Sequence, residues 1–122
     1  MFGARQKTGN FGEKLACEYL KNRGYKILDQ NYRTRGGEID IVAKDEETLV
    51  FVEVKTRTSR AFGFPEEAID ERKQRKLALT AEHYLAFHRL YNQNYRIDSI
   101  GIELDGGGSV VELRHENDVV GW

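Results

Sequence analysis

The chain has 122 residues, a mass of 14.1 kDa and a formal net charge of −1, which is the size of one domain. Its 39% hydrophobic content at near-neutral charge excludes a disordered chain, and its longest apolar runs, such as Leu49-Val50-Phe51-Val52, fall far short of the ~18 residues a spanning helix needs, so no membrane partner is expected. Cys17 is the single cysteine, which excludes a disulfide framework, and residues 1–12 hold no apolar leader, so a cytoplasmic domain is expected.

The first periodic segment runs from about Asn10 to Arg23, with Leu15, Ala16, Tyr19 and Leu20 at helical spacing. Asn10 is placed as its N-cap and Gly24 as the left-handed residue after its last turn. On that frame Glu13 falls at the third helical position, where it could close a capping box. Strand-like text follows at Tyr25–Tyr32, Gly37–Lys44 and Thr48–Arg57. Asp45-Glu46-Glu47 is a short polar turn, so the last two of these strands are expected to form an antiparallel hairpin. Phe62 to Pro65 reads as a loop. A helix then starts near Pro65 or Asp70 and runs to about Tyr91, with Ile69, Leu77, Ala81, Tyr84 and Leu85 as its buried stripe. Arg96–Leu104 and Ser109–Arg114 read as two more strands. Gly106-Gly107-Gly108 between them precedes a strand, not a helix, and is a turn rather than a phosphate loop. The order predicts one α/β domain over residues 1–122, a single mixed five-stranded sheet flanked by helices, with residues 1–8 and 116–122 as flexible ends.

Charge is segregated along the chain. Lys21, Arg23, Lys26, Arg33 and Arg35 are opposed only by Asp29. Glu38, Asp40, Asp45, Glu46, Glu47 and Glu53 then outnumber Lys44, and Lys55, Arg57 and Arg60 follow. Basic segments bracketing an acidic one fit a metal site that handles phosphate. Alternation along the second strand places Ile39 and Ile41 on one face and Glu38 and Asp40 on the other. In the third strand Val50, Val52 and Val54 oppose Leu49, Phe51, Glu53, Lys55 and Arg57. A hairpin through residues 45–47 lays Asp40 near Glu53, so two carboxylates and a lysine converge at one end of the sheet. The same charges on an ordinary solvated strand face would carry no chemistry. On an interior strand they repel unless a cation lies between them. Oxygen ligands without His or Cys suit Mg2+ or Mn2+. His83, His88 and His115 have no metal-ligand spacing and read as structural or surface residues, and Cys17 as a small buried one.

Gly37-Glu38-Ile39-Asp40, followed after twelve residues by Glu53-Val54-Lys55, is similar to the PD-(D/E)xK nuclease signature. The flanks extend the match: Gly9-Asn10-Phe11-Gly12-Glu13 opening a helix, Asn31-Tyr32-Arg33, and Phe51-Val52-Glu53-Val54-Lys55-Thr56-Arg57. From about residue 8 to 115 the chain resembles the bacterial YraN-type family, proteins similar to archaeal Holliday-junction resolvases. The resemblance implies a restriction-endonuclease-like fold and a metal-dependent DNA endonuclease. It implies Asp40 and Glu53 as ligands of Mg2+ or Mn2+, the Val54 carbonyl as a further ligand, Lys55 as the catalytic lysine and Glu13 reaching the same site. Branched DNA as substrate and a homodimer as the acting form are implied in the same way. Lys73 is expected as a phosphate contact or as a snorkelling lysine. Arg33, Arg35, Arg57 and Arg60 are the candidates for positioning the DNA backbone. The alternative is a non-catalytic nucleic-acid-binding or adaptor domain that keeps the nuclease fold. Near-neutral charge favours it, while converging carboxylates that repel phosphate oppose it.

Overall fold

A computed structural model describes the backbone of residues 3–58 and 70–120, with side chains from residue 10 onward. The elements are α1 (Gly3–Asn22), β1 (Lys26–Thr34), β2 (Gly37–Asp45), β3 (Thr48–Arg57), α2 (Glu71–Phe87), β4 (Tyr95–Leu104) and β5 (Val110–Glu116). They build one sheet in the order β1-β2-β3-β4-β5, antiparallel throughout except for the parallel β3–β4 pair. Connections explain that order. Two-residue links join β1 to β2 and β2 to β3 and permit only antiparallel neighbours, whereas the crossover from β3 to β4 carries α2 and returns the chain parallel. The result is the expected α/β arrangement, consistent with a restriction-endonuclease-like fold. Among the described residues no helix is long and apolar enough to cross a membrane.

Helices cover both faces. Ala16, Cys17 and Leu20 of α1 pack on Ile41, Ala43, Val50, Val52, Val54, Ile100 and Ile102. Leu77, Ala78, Ala81, Tyr84 and Leu85 of α2 pack on Ile39, Val42, Leu49, Phe51 and Ile97. This double coverage is why β3 reads as an unbroken apolar run before Glu53. The alternation expected of β3 holds. That of β2 does not, because Ile39 joins the α2 side and Ile41 the α1 side, so the face changes at Asp40. Opposite that rung, between the pairs Gln30↔Ile41 and Tyr32↔Ile39, Asn31 takes a left-handed backbone with φ 54°.

The helix ends follow local chemistry. Gly24 has φ 91°, Tyr25 N–H donates to Leu20 O and Gly24 N–H to Lys21 O, both at 3.0 Å, which closes α1 in a Schellman motif as expected. Its start differs. α1 begins at Gly3, so Asn10 is an interior residue and Glu13 closes no capping box. Ala4, Arg5, Gln6 and Lys7 are strong helix formers, and nothing among them stops propagation. Asp70 caps α2, its Oδ1 accepting from Lys73 N–H at 2.9 Å. α2 ends at Phe87 rather than near Tyr91. Arg89 takes φ 56° while Leu90 N–H donates to Leu85 O at 2.8 Å, a Schellman closure that no glycine marks. After β5, Asp118 N–H donates to Asp98 Oδ1 at 2.9 Å and Val119 N–H to Ile97 O at 2.7 Å, so the chain is tied to the sheet where a flexible end was expected. The expected loop at Phe62–Pro65, the stripe position Ile69 and Arg60 lie outside the described residues.

Candidate active site

Main-chain pairing between β2 and β3 runs from Asp45↔Thr48 to Ile41↔Val52 and stops there. The next rung is made by a side chain, with Val54 N–H donating to Asp40 Oδ2 at 2.7 Å. The divergence opens a cleft of about 290 Å3 whose walls include Asp40, Glu53, Val54, Lys55, Lys73 and Lys76. Glu53 follows directly on the apolar run of β3 and is only 3% exposed. It shares the α2 side of the sheet with Phe51, two residues earlier on the strand.

Asp40 lies within hydrogen-bonding reach of both Glu53 and Glu13. Burial first, and then the Glu53 charge, push the Asp40 carboxyl up to about 8, against the lowering effect of the Val54 N–H. At neutral pH the carboxyl pair therefore tends to keep a proton that isolated carboxyls would have lost. Glu13 is also raised, by burial and then by Glu38. The Glu53 carboxylate is matched from two elements. Lys73 Nζ of α2 lies 3.1 Å from Glu53 Oε1, and Lys55 Nζ, two residues along β3, lies 3.3 Å from the same oxygen. Burial alone would depress the Lys73 ammonium, but the Glu53 carboxylate outweighs it and the pKa rises. Across the parallel ladder Ser99 stands at the Glu53 rung, and among the described residues its buried Oγ has no hydrogen-bond partner.

Two close approaches seat the helices against this cleft. A Cβ on Gly12 of α1 would stand 1.9 Å from Thr56 Oγ1 of β3, so glycine is what lets α1 come close enough for Glu13 to reach Asp40. A Cβ on Gly37 of β2 would stand 2.8 Å from Thr80 Oγ1 of α2, one helical turn beyond Lys76. The sequence motifs contain both glycines but give them no packing role, because only the packed partner reveals such a contact. Sequence reasoning likewise gave Asn31, quoted in a motif flank, no role of its own, and it passed over Lys76.

Of the residues singled out from sequence, Asp40, Glu53, Lys55, Glu13 and Lys73 come together, and Val54 contributes its N–H. The arginines do not gather in the same way. Arg33 is mostly exposed and its Nε lies 3.3 Å from Glu38 Oε1, and it lines a neighbouring groove with Arg35, Leu79 and His83. Arg57 is half-buried at the end of β3, opposite Glu103 in the ladder. His115, Cys17 and His88 are structural, as expected. His115 sits between Tyr19 and Asp98, Cys17 is in the core, and His88 is the C-cap of α2.

Among the described residues no three or more His, Cys, Asp and Glu side chains form a metal cage. The donor set is a pair of carboxylates in an open cleft. That fits Mg2+ or Mn2+, which bind through one or two carboxylates and keep the remaining positions for water and phosphate oxygens.

Residues 12–102 match the model of a family described as "Uncharacterised protein family UPF0102", a span that contains every member of the cluster. A UPF0102 protein of Alkaliphilus oremlandii is 52% identical over 101 residues, covering 81% of this chain and 86% of its own. One of Caldicellulosiruptor bescii is 44% identical over 109 residues, with 88% and 92% covered. One of Clostridium acetobutylicum is 43% identical over 118 residues, with 97% and 89% covered. By both the family match and these relatives, the chain belongs to the protein family UPF0102.

Proposed function

We propose that the protein is a metal-dependent DNA endonuclease that hydrolyses phosphodiester bonds in branched or otherwise structured DNA. The observation that carries this reading is the Asp40–Glu53 pair, two carboxyls within hydrogen-bonding reach on interior strands, with Lys55 Nζ 3.3 Å from Glu53 Oε1. Asp40 and Glu53, with the Val54 carbonyl, would hold Mg2+ or Mn2+. When bound, the ion neutralises the pair and supplies the Lewis acidity that phosphodiester hydrolysis needs. Lys55 is placed to orient the attacking water and to meet the charge that develops on the phosphate. Glu13 holds Asp40 from the α1 side.

Arg72, Lys73, Arg75 and Lys76 crowd the first two turns of α2. Cations are unfavourable at the positive end of a helix dipole. A phosphate backbone lying along that end would offset the cost, which supports a DNA path along it, with Lys73 and Lys76 lining the cleft. The resemblance to resolvases extends the proposal to a cytoplasmic homodimer.

One observation favours the adaptor reading. Lys55 and Lys73 both contact Glu53 Oε1, so protein cations alone can match its charge. The test is incubation with linear, single-stranded, flapped and four-way-junction DNA in Mg2+ and in Mn2+, beside Asp40→Ala. Cleavage of a structured substrate by the wild type and not by the variant is expected. Binding without cleavage on every substrate, unchanged in Asp40→Ala, would identify an adaptor.

A further inference from the structure

We infer that Asn31 is a positioning residue for the Asp40–Glu53 centre, its left-handed backbone setting the rung at which Asp40 enters the cleft and its carboxamide bridging Glu13 and Glu38. The inference deepens the endonuclease reading and rests on it for what the centre does. Asn31 lies in the middle of β1, where an extended residue is the rule, yet has φ 54°. The pairs Gln30↔Ile41 and Tyr32↔Ile39 put it directly across from Asp40. At that same rung β2 changes face, with Ile39 on one side of the sheet and Ile41 on the other. The two irregularities are one event, a local turn of the β1–β2 ladder that takes Asp40 out of simple alternation.

The side chain adds a second role. With its amide oriented so that nitrogen faces the carboxylates, Asn31 Nδ2 donates to Glu13 Oε1 at 3.0 Å and to Glu38 Oε1 at 3.3 Å. Arg33 Nε approaches the same Glu38 oxygen at 3.3 Å. Glu13 in turn is within hydrogen-bonding reach of Asp40. Asn31 is exposed, so apolar packing does not account for it. The residue type is determined by the two demands together. Glycine accepts the backbone but donates nothing. Aspartate tolerates the backbone but is acceptor-only and would repel both glutamates. Asparagine tolerates the left-handed region and carries two N–H donors on one nitrogen, one for each carboxylate.

Outer partners of this kind orient the groups that bind metal, and their loss costs about 10–100-fold in affinity or activity. Asn31→Gly keeps the backbone and deletes the bridge. It is expected to unfold at a temperature close to wild type while Mn2+ affinity, read by electron paramagnetic resonance, and cleavage both fall by about 10–100-fold. Asn31→Asp should lose at least as much, and Asn31→Gln, which keeps the amide but fits the left-handed backbone poorly, should not restore the site. Asn31→Gly with Mn2+ affinity and cleavage both within twofold of wild type would overturn the inference. A metal-free measurement decides the bridge independently. The Asn31 side-chain amide resonances are expected to move in both Glu13→Ala and Glu38→Ala, and no movement in either would overturn it. Wild-type protein that neither cuts DNA nor binds Mn2+ through Asp40 would instead refute the endonuclease reading, and the amide resonances would still report whether Asn31 bridges the glutamates.

Discussion

The backbone N–H of Val54 donates to Asp40 Oδ2 at 2.7 Å, one rung beyond the last main-chain pair between β2 and β3. One carboxyl thus ends the ladder and begins the cleft. Its position is fixed by the sheet itself, and the strand divergence it bridges opens the cleft that Glu53 and Lys55 line.

Asp40 gives the fold a characteristic pH dependence. In the metal-free protein its carboxyl is held up to about 8, from 3.8, by burial and then by Glu53. Between those values the folded state binds a proton that the unfolded chain has released. The stability contributed by this group is full below the lower value and is lost as pH rises through the upper one. Urea unfolding in chelator is expected to show a midpoint that falls from about pH 5 to about pH 8 and levels off above that, and Asp40→Asn to remove most of the fall. Mn2+ must displace the proton, so its affinity should rise over the same window. A wild-type midpoint that climbs with pH there would contradict the paired-carboxyl site.

Gly12→Ala tests how α1 is seated. Replacing a helix-interior glycine with alanine normally stabilises by about 0.5–1 kcal/mol. Here the new Cβ would meet Thr56 Oγ1 at 1.9 Å and Thr56 Cβ at 3.1 Å, and a β-branched side chain has little freedom to turn away. The expected result is a loss of about 1–3 kcal/mol in denaturant unfolding, with Mn2+ affinity reduced because Glu13 moves from Asp40. Among the described residues Thr56 Oγ1 is buried with no hydrogen-bond partner, so adding Thr56→Ala should recover part of the loss. A stabilising Gly12→Ala would mean that the approach is looser than described.

Asp98 marks a second polar cluster whose role is structural. It is fully buried, and it meets Arg96 Nε at 3.0 Å, His115 Nε2 at 2.8 Å and Asp118 N–H at 2.9 Å. Removing the carboxylate leaves Arg96 without its closest charge partner and releases the chain after β5. Asp98→Ala is therefore expected to cost about 3–5 kcal/mol in unfolding experiments. Whatever fraction remains folded should bind Mn2+ as wild type does. A selective loss of metal binding in a stable Asp98→Ala would join the two clusters into one site.

Much of this was legible in the sequence for definite reasons. β3 announces itself because both of its faces are covered, and α1 announces its end because Gly24 alone tolerates φ 91° there at no cost. The short turn at residues 45–47 was enough to bring Asp40 and Glu53 together. What could not be read are features that depend on another segment. The face change at Asp40 arises from a left-handed Asn31 across the ladder, and strand periodicity cannot show it. The stop after Phe87 uses Arg89 in a conformation usually marked by glycine. Gly12 and Gly37 matter only because Thr56 and Thr80 lie against them. Lys73, ambiguous from its helical position, is resolved as a partner of Glu53 by a distance.

Lys55→Ala, compared with wild type in single-turnover cleavage of a four-way junction and in metal-free DNA affinity, tests most directly whether the cluster is a hydrolytic centre. Lys55 shares the Glu53 Oε1 contact with Lys73, so its removal leaves that carboxylate one ammonium and the fold intact. If Lys55 acts on the reacting water or on the transition state, cleavage falls by about 10²–10³-fold while DNA affinity stays within a few-fold, since an interaction made only in the transition state changes rate and not ground-state binding. No cleavage by the wild type, together with weaker DNA binding by Lys55→Ala and a salt dependence reduced by about one counterion, would contradict it and leave Lys55 as a phosphate contact in a binding module.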